Sequence, residues 1–269
     1  MTAPPVTLTA PSTRTVGRPS VVGDALTIAW RNVLNIRRNP QLLVFATIQP
    51  VIFVLMFRYV FGGAINVPGV PYVDYLMPGI FVQTVVFGAL TTGVGLAEDL
   101  QKGLVDRFRS LPMARSAVLL GRTLADLLRN VFVVGLMCVV GLAVGWNPTG
   151  GALSIVAGLG LVLAFAYSLS WVFAIVGLSV RDSETAQAAS FPILAPLVFA
   201  SSAFVPVASM PGWLQVFAKH QPVSVVVNAV RTLTLGGAVS SHVLSALAWI
   251  VGIVAVCAPL AVARYRRAT

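Results

Sequence analysis

The chain has 269 residues, of which 57% are hydrophobic and only 10% charged, with a formal net charge of +10. Soluble domains carry roughly 25% charged residues, so this balance, with a mean hydropathy of +0.90, excludes an ordinary water-soluble fold and predicts an all-α polytopic membrane protein. The excess of cations calls for no nucleic-acid partner, because Lys and Arg beside membrane spans, facing anionic inner-leaflet lipid, account for it.

Residues 1–20 are rich in Thr, Pro and Ser and lack an apolar run, which predicts a disordered cytoplasmic tail rather than a cleavable signal. From 21 to 38, Val22, Leu26, Ala29, Trp30, Val33 and Ile36 recur at helical spacing, and Asp24, Thr27, Arg31, Asn35 and Arg38 line the other face. That pattern predicts an amphipathic helix on the inner membrane surface, with Trp30 at headgroup level and Arg37 and Arg38 against anionic lipid. Pro40 then ends it and opens the next helix.

Six apolar runs follow, at residues 42–62, 76–97, 123–145, 151–178, 190–208 and 241–262, each of a length that can span a bilayer. They are continuous rather than alternating, so helices are expected and a β-barrel is not. Arg58, near the outer end of the first run, is expected to snorkel to headgroups or to face a substrate path.

Eight of the 26 charged residues fall between Glu98 and Arg122, in a polar island between the second and third runs. On a helix, Leu100, Leu104, Phe108 and Leu111 share one quadrant while Glu98, Lys102, Asp106 and Arg109 lie opposite. Glu98 and Lys102 are spaced for an i,i+4 ion pair, and Pro112 turns the chain back toward the membrane. The island therefore predicts a docking element for a soluble partner. In the third run Arg122, Asp126 and Arg129 share one face; either Asp126 neutralises one or both arginines structurally, or the trio acts in gating. Arg181, Asp182 and Glu184, after the fourth run, can pair locally. Prolines at 206, 211 and 222 cut residues 205–240 into pieces too short to span but, with Trp213, Leu214 and Phe217, too apolar for a free loop. Short re-entrant helices in the outer leaflet are expected there, with Pro211, Trp213 and Phe217 in the outer segment and Trp213 as the interface anchor.

Fourteen of the 18 Lys and Arg residues lie before the first run, after the second and fourth, and in the C-terminal tail. This predicts six spans with both termini cytoplasmic, leaving Lys219 and Arg231 in the opposite loops and Arg58 and Arg129 within spans. Cys138 and Cys257 fall in spans and read as buried free thiols. His220 and His242 are far apart, and there is no HExxH and no patterned Ser-His-Asp, so neither a catalytic residue nor a metal site is assigned. There is also no GxxxxGK[ST] phosphate loop, so the chain lacks the usual ATP cradle.

Two stretches carry a family likeness. Asp106-Arg-Phe-Arg-Ser-Leu-Pro-Met-Ala-Arg115, followed by Leu119-Leu-Gly-Arg-Thr-Leu-Ala-Asp-Leu-Leu-Arg129, resembles the loop of ABC-2 type exporter permeases. Phe204-Val-Pro-Val-Ala-Ser-Met-Pro-Gly-Trp-Leu-Gln-Val-Phe-Ala-Lys-His-Gln-Pro-Val-Ser224 is similar to the segment before the last span in the daunorubicin-resistance branch. The resemblance implies an ABC-2 transmembrane domain over 21–269, with the island as coupling helix, 21–38 as interface helix and the re-entrant helices as an outer gate. It implies a homodimer or close heterodimer of permease chains and two copies of a cytoplasmic ABC ATPase subunit. ATP and Mg belong to that subunit; the permease itself carries no cofactor and is not an enzyme. The implied function is export of a hydrophobic or amphipathic drug, antibiotic or lipid across the cell membrane by ATP-driven alternating access. Export of a lipid-linked glycan by the same machinery, or an ATP-independent ion-coupled carrier, is the alternative.

Overall fold

A computed structural model describes residues 23, 26–30, 34, 40–65, 67–103, 115–237 and 240–268. Among them every regular element is helical, as a backbone that must satisfy its own polar groups in hydrocarbon requires. The helices are α1 (Pro40–Leu55, continued by a π-helical turn Met56–Phe61), α2 (Tyr72–Gln101), α3 (Arg115–Val144), α4 (Ala152–Gly177), α5 (Ser183–Phe199), α6 (Gly212–His220), α7 (Pro222–Leu235) and α8 (Ser240–Ala268). A 3-10 turn, Val207–Ser209, precedes α6. Four of them, α2, α3, α4 and α8, are long and apolar enough to cross a membrane, and the runs at 76–97, 123–145, 151–178 and 241–262 fall on these four. The run at 42–62 lies on α1 and its π-helical continuation.

The run at 190–208 needs correction. Its helix begins earlier, at Ser183, and stops at Phe199. It begins there because the Asp182 side chain accepts from the Thr185 backbone N–H at 2.7 Å, an N-cap. It stops because the next amides are taken elsewhere: Ser202 N–H donates to Ser224 Oγ at 3.0 Å and Ala203 N–H to Ser201 Oγ at 3.1 Å, so the helical ladder cannot continue.

The Asp182 cap has a pH signature. Hydrogen bonds from the Thr185 amide and hydroxyl hold its carboxyl below the usual carboxylate range. A group depressed in the folded state stabilises above its unfolded pKa of about 3.9 and loses that contribution as pH falls through the lower folded value. The thermal midpoint of the native protein is therefore expected to fall between about pH 5 and pH 2 by more than that of Asp182→Ala; equal slopes would show that the cap contributes nothing.

The apolar core forms around α2, against which α1, α3, α4, α5 and α7 all pack. Leu76, Ile80, Phe81 and Val85 of α2 are fully buried with Met137 of α3, Phe165 of α4, Leu194 of α5 and Val226 of α7. The opposite case is α8, which exposes Leu244, Val251 and Val256, while α3 exposes Phe132, Val139 and Leu142. These are the surfaces a bilayer would cover. α2 and α4 approach each other closely. A Cβ at Gly93 would lie 2.5 Å from the Phe173 carbonyl oxygen, and one at Gly177 would lie 2.2 Å from the Gly93 carbonyl oxygen. Small residues at such a crossing bring two backbones into direct contact.

A second cluster gathers Leu96, Leu119, Trp171, Ala174, Leu178, Ala261 and Tyr265 at the end of the bundle that carries the charged island. The segment at 26–30 is helical; Ile28 joins this cluster and Ala29 is buried beside it in sequence, whereas Leu26 and Trp30 stay exposed. The sequence pattern puts Leu26, Ala29 and Trp30 on one apolar face and leaves Ile28 off it; the fold instead buries Ile28 and Ala29 and leaves Leu26 and Trp30 exposed, because Ile28 meets residues of other helices. Val33 and Arg37 lie outside the described residues.

Candidate functional site

Polar residues on α2 recur at Gln83, Thr84, Thr91 and Glu98, and on α3 at Arg122, Asp126, Arg129 and Asn130. Helical spacing stacks these along facing sides of two helices. Between them, closed on the other side by α1 and α5, lies a cavity of about 640 Å³. Its lining mixes these polar groups with Phe87, Leu90, Val133 and Phe191.

The charges in its wall are matched one by one. Asp126 is 8% exposed; one carboxylate oxygen lies 3.4 Å from the Arg129 guanidinium and the other accepts from the Thr92 hydroxyl at 2.6 Å. Arg129 also donates to the Gly88 carbonyl at 2.7 Å. Arg122 does not turn to Asp126 but pairs with Asp99. It has room to do so because residue 95 is glycine: a Cβ there would sit 1.7 Å from the Arg122 Nη2 atom. At the end of α2, Lys102 donates to Glu98, whose hydrogen bond and charge raise the lysine pKa. Both side chains of that pair are exposed, so it contributes little to stability. A cavity wall in which opposite charges are mutually neutralised offers low net charge to whatever enters it.

Of the island, Glu98 is exposed, Leu100 packs beside the second cluster and Lys102 is exposed. Leu104, Phe108, Arg109 and Leu111 lie outside the described residues. At the other end of the bundle, Pro211, Trp213 and Phe217 are exposed on and beside α6, with Trp213 at 77%; α6 buries Ala218.

Arg231 corrects the sequence reading. It is not a loop cation but a residue of α7, and its guanidinium is turned into the protein. It donates to the Tyr75 carbonyl at 3.1 and 3.2 Å, to the Ser202 carbonyl at 2.9 Å and to Asn228 Oδ1 at 2.8 Å. Its carbon centre also stands 3.6 Å from the centre of the Tyr75 ring, a cation–π contact. The Tyr75 and Tyr72 hydroxyls donate to the Ser202 and Phe204 carbonyls at 3.1 and 3.0 Å. α7, the start of α2 and residues 202–204 are thereby tied into one polar knot. Periodicity could not find it, since the partners of Arg231, apart from Asn228 three positions before it, are backbone oxygens more than 100 positions apart in sequence or in a non-helical stretch. Asp99, Thr92, Gln83 and Asn130 also escaped the sequence reading. The two amides did leave a signal, as polar side chains within otherwise apolar runs.

The sequence has known relatives. The chain is 37% identical, over 93% of its length and 88% of the relative's, to the daunorubicin resistance ABC transporter permease protein DrrB1 of Streptomyces coeruleorubidus. It is 28% identical, over 84% of its length and 82% of the relative's, to the probable doxorubicin resistance ABC transporter permease protein DrrC of Mycobacterium tuberculosis. A putative transport permease, ycf38, of Pyropia yezoensis is 26% identical over 80% of the chain and 75% of the relative. Residues 24–235, from the N-terminal segment through the island and α2–α3 cavity to the end of the Arg231 helix, match the model of the ABC-2 type transporter family. With its apolar helices and its permease relatives, the chain is a multi-pass membrane protein that belongs to the ABC-2 type transporter family.

Proposed function

We propose that this chain is the transmembrane permease subunit of an ATP-driven exporter, moving a hydrophobic or amphipathic drug, antibiotic or lipid out of the cytoplasm or inner leaflet. The observation that carries this reading is the cavity. It runs along α2 from Glu98 to Gln83, fifteen residues or about 22 Å at the helical rise. That is a large share of a hydrocarbon core of about 30 Å. The cavity begins beside the charged island and has apolar side chains along its course. The names of the relatives, daunorubicin and doxorubicin resistance permeases, support a drug-sized cargo.

In this reading α1 with its π-helical extension, and α5 continued by the knot and α6–α7, complete a six-span subunit with both termini cytoplasmic. The island is the coupling helix, where Leu100, Leu104, Phe108 and Leu111 dock a cytoplasmic ABC ATPase that carries ATP and Mg. Residues 21–38 form the interface helix, α6 lies in the outer leaflet through Trp213 and Phe217, and two permease chains work with two ATPase subunits. Asp126, a buried carboxylate in the cavity wall, gives the ion-coupled carrier a foothold, but its matching by Arg129 and Thr92 favours a structural or gating charge over a proton carrier.

The test is to purify the tagged chain from its native membrane in mild detergent and quantify a co-purifying ATPase subunit, for the native protein and for Leu104→Asp, Phe108→Asp. The variant is expected to lose at least about tenfold of the ATPase, as placing charge in a docking centre does. If no ATPase comes down with either, and vesicles move solute without ATP, the carrier replaces the exporter.

A further inference from the structure

We propose that Gln83 and Asn130 form a neutral hydrogen-bonding subsite in the α2–α3 cavity, for the hydroxyl or carbonyl group of an otherwise apolar cargo; this rests on the exporter reading above. The two side chains are 1% and 2% exposed and both border the cavity, from α2 and α3. Gln83 Oε1 and Asn130 Nδ2 have no hydrogen-bond partner among the described residues. Unmade hydrogen bonds at buried amides cost free energy, and such groups in a native fold call for a partner that the protein itself does not supply, a ligand, an ion or a water.

The chemistry of the ligand follows from what the rest of the wall has already spent. Asp126 is matched by Arg129, Arg122 by Asp99 and Glu98 by Lys102. Arg122 Nε is also without a partner, but it belongs to a guanidinium held by Asp99, far down the helix from Gln83. A cationic or anionic cargo would therefore have to break an existing pair to be recognised. A hydroxyl or carbonyl would not. Each amide carries both a donor and an acceptor, and a half-turn of its terminal group exchanges them, so either amide serves either kind of neutral group. Phe87 and Val133 beside them supply the apolar surface for the remainder of the ligand.

The test uses the complete chain with its co-purifying ATPase in lipid nanodiscs. It compares quinizarin, a dihydroxyanthraquinone, with anthracene, the same three-ring frame without hydrogen-bonding atoms, and empty nanodiscs give the partition background. The native protein is expected to favour quinizarin by about tenfold after that correction. Gln83→Met and Asn130→Leu each remove that preference, leave anthracene binding unchanged and raise the thermal midpoint, because an unpartnered buried polar group has gone. Equal binding of the two probes by the native protein, or a preference kept by both variants, overturns the subsite. So does a fall in thermal midpoint, which would place the partners of the amides within the assembled protein. The exporter reading is scored separately by ATPase retention: loss of the ATPase with the quinizarin preference intact defeats that reading and leaves the subsite.

Discussion

Gly93→Ala is expected to cost about 3 kcal/mol or more, although it adds a single methyl group. The added Cβ would fall 2.5 Å from the Phe173 carbonyl oxygen, and its counterpart at Gly177 would fall 2.2 Å from the Gly93 carbonyl oxygen. Both obstacles are backbone, so no side chain can swing aside. α2 and α4 would have to separate, and the packing of Leu96 and Phe173 along the crossing would open with them. Overpacking in a well-filled core typically costs about 1–3 kcal/mol and more where nothing can yield, against a total stability of about 5–15 kcal/mol. The control is built into the same bundle. Gly135 on α3 and Gly160 on α4 have nothing within 4 Å of an added Cβ, and Ala there should cost nothing. Yield of monodisperse protein and the thermal midpoint in detergent decide it; equal behaviour of Gly93→Ala and Gly160→Ala would mean that the two helices do not meet at Gly93.

Arg231→Met should cost about as much, by the opposite route of removing rather than adding atoms. It strips a guanidinium from the Tyr75 and Ser202 carbonyls and from Asn228 in a half-buried site. Among the described residues this leaves the Ser202 carbonyl only the Tyr75 hydroxyl, and Asn228 Oδ1 only the Ser202 hydroxyl, as donors. Hydrogen bonds to a charged group are worth about 1.5–3 kcal/mol each at the upper end of the usual range and are not additive, so a net loss of about 3 kcal/mol is expected. Arg231→Lys should recover less than half of it. A single ammonium cannot reproduce a planar fork that reaches three oxygens while lying 3.6 Å above the Tyr75 ring. Thermal midpoint is one readout; protease cleavage between residues 200 and 211, which the knot ties to α2 and α7, is the other. Full rescue by lysine would show that charge alone matters at this position and that the fork geometry does not.

How much of this was legible beforehand depended on the range of the interaction. Helix content and the positions of the four long apolar helices follow from composition and local hydropathy, since apolar runs of that length have only one way to satisfy their backbone in hydrocarbon. The shared face of Arg122, Asp126 and Arg129 follows from helical period, which is a property of one segment. The end of α5 was misplaced by about nine residues because apolar character continues past Phe199, whereas the helix ends where Ser224, twenty-two positions on, takes the Ser202 amide. The face of the segment at 26–30 was read from its own pattern, but burial of Ile28 depends on Leu96, Trp171 and Tyr265, which come from other helices.

The sequence by itself determined the class of this protein, its lipid-compatible helices, the polarity of its charged island and, through short motifs, its kinship. Those rest on composition and on spacing within about a turn or two of helix, where neighbours in sequence are neighbours in space. The tertiary structure alone decided which charges are partners, with Arg122 on Asp99 rather than Asp126. It also decided that Arg231 is a tie between distant segments, and that one polar atom of each of two amides bordering one cavity, Gln83 Oε1 and Asn130 Nδ2, has no partner among the described residues. Each of these depends on the distance between residues that sequence separation leaves free, and only the packing of α2 against its neighbours sets it.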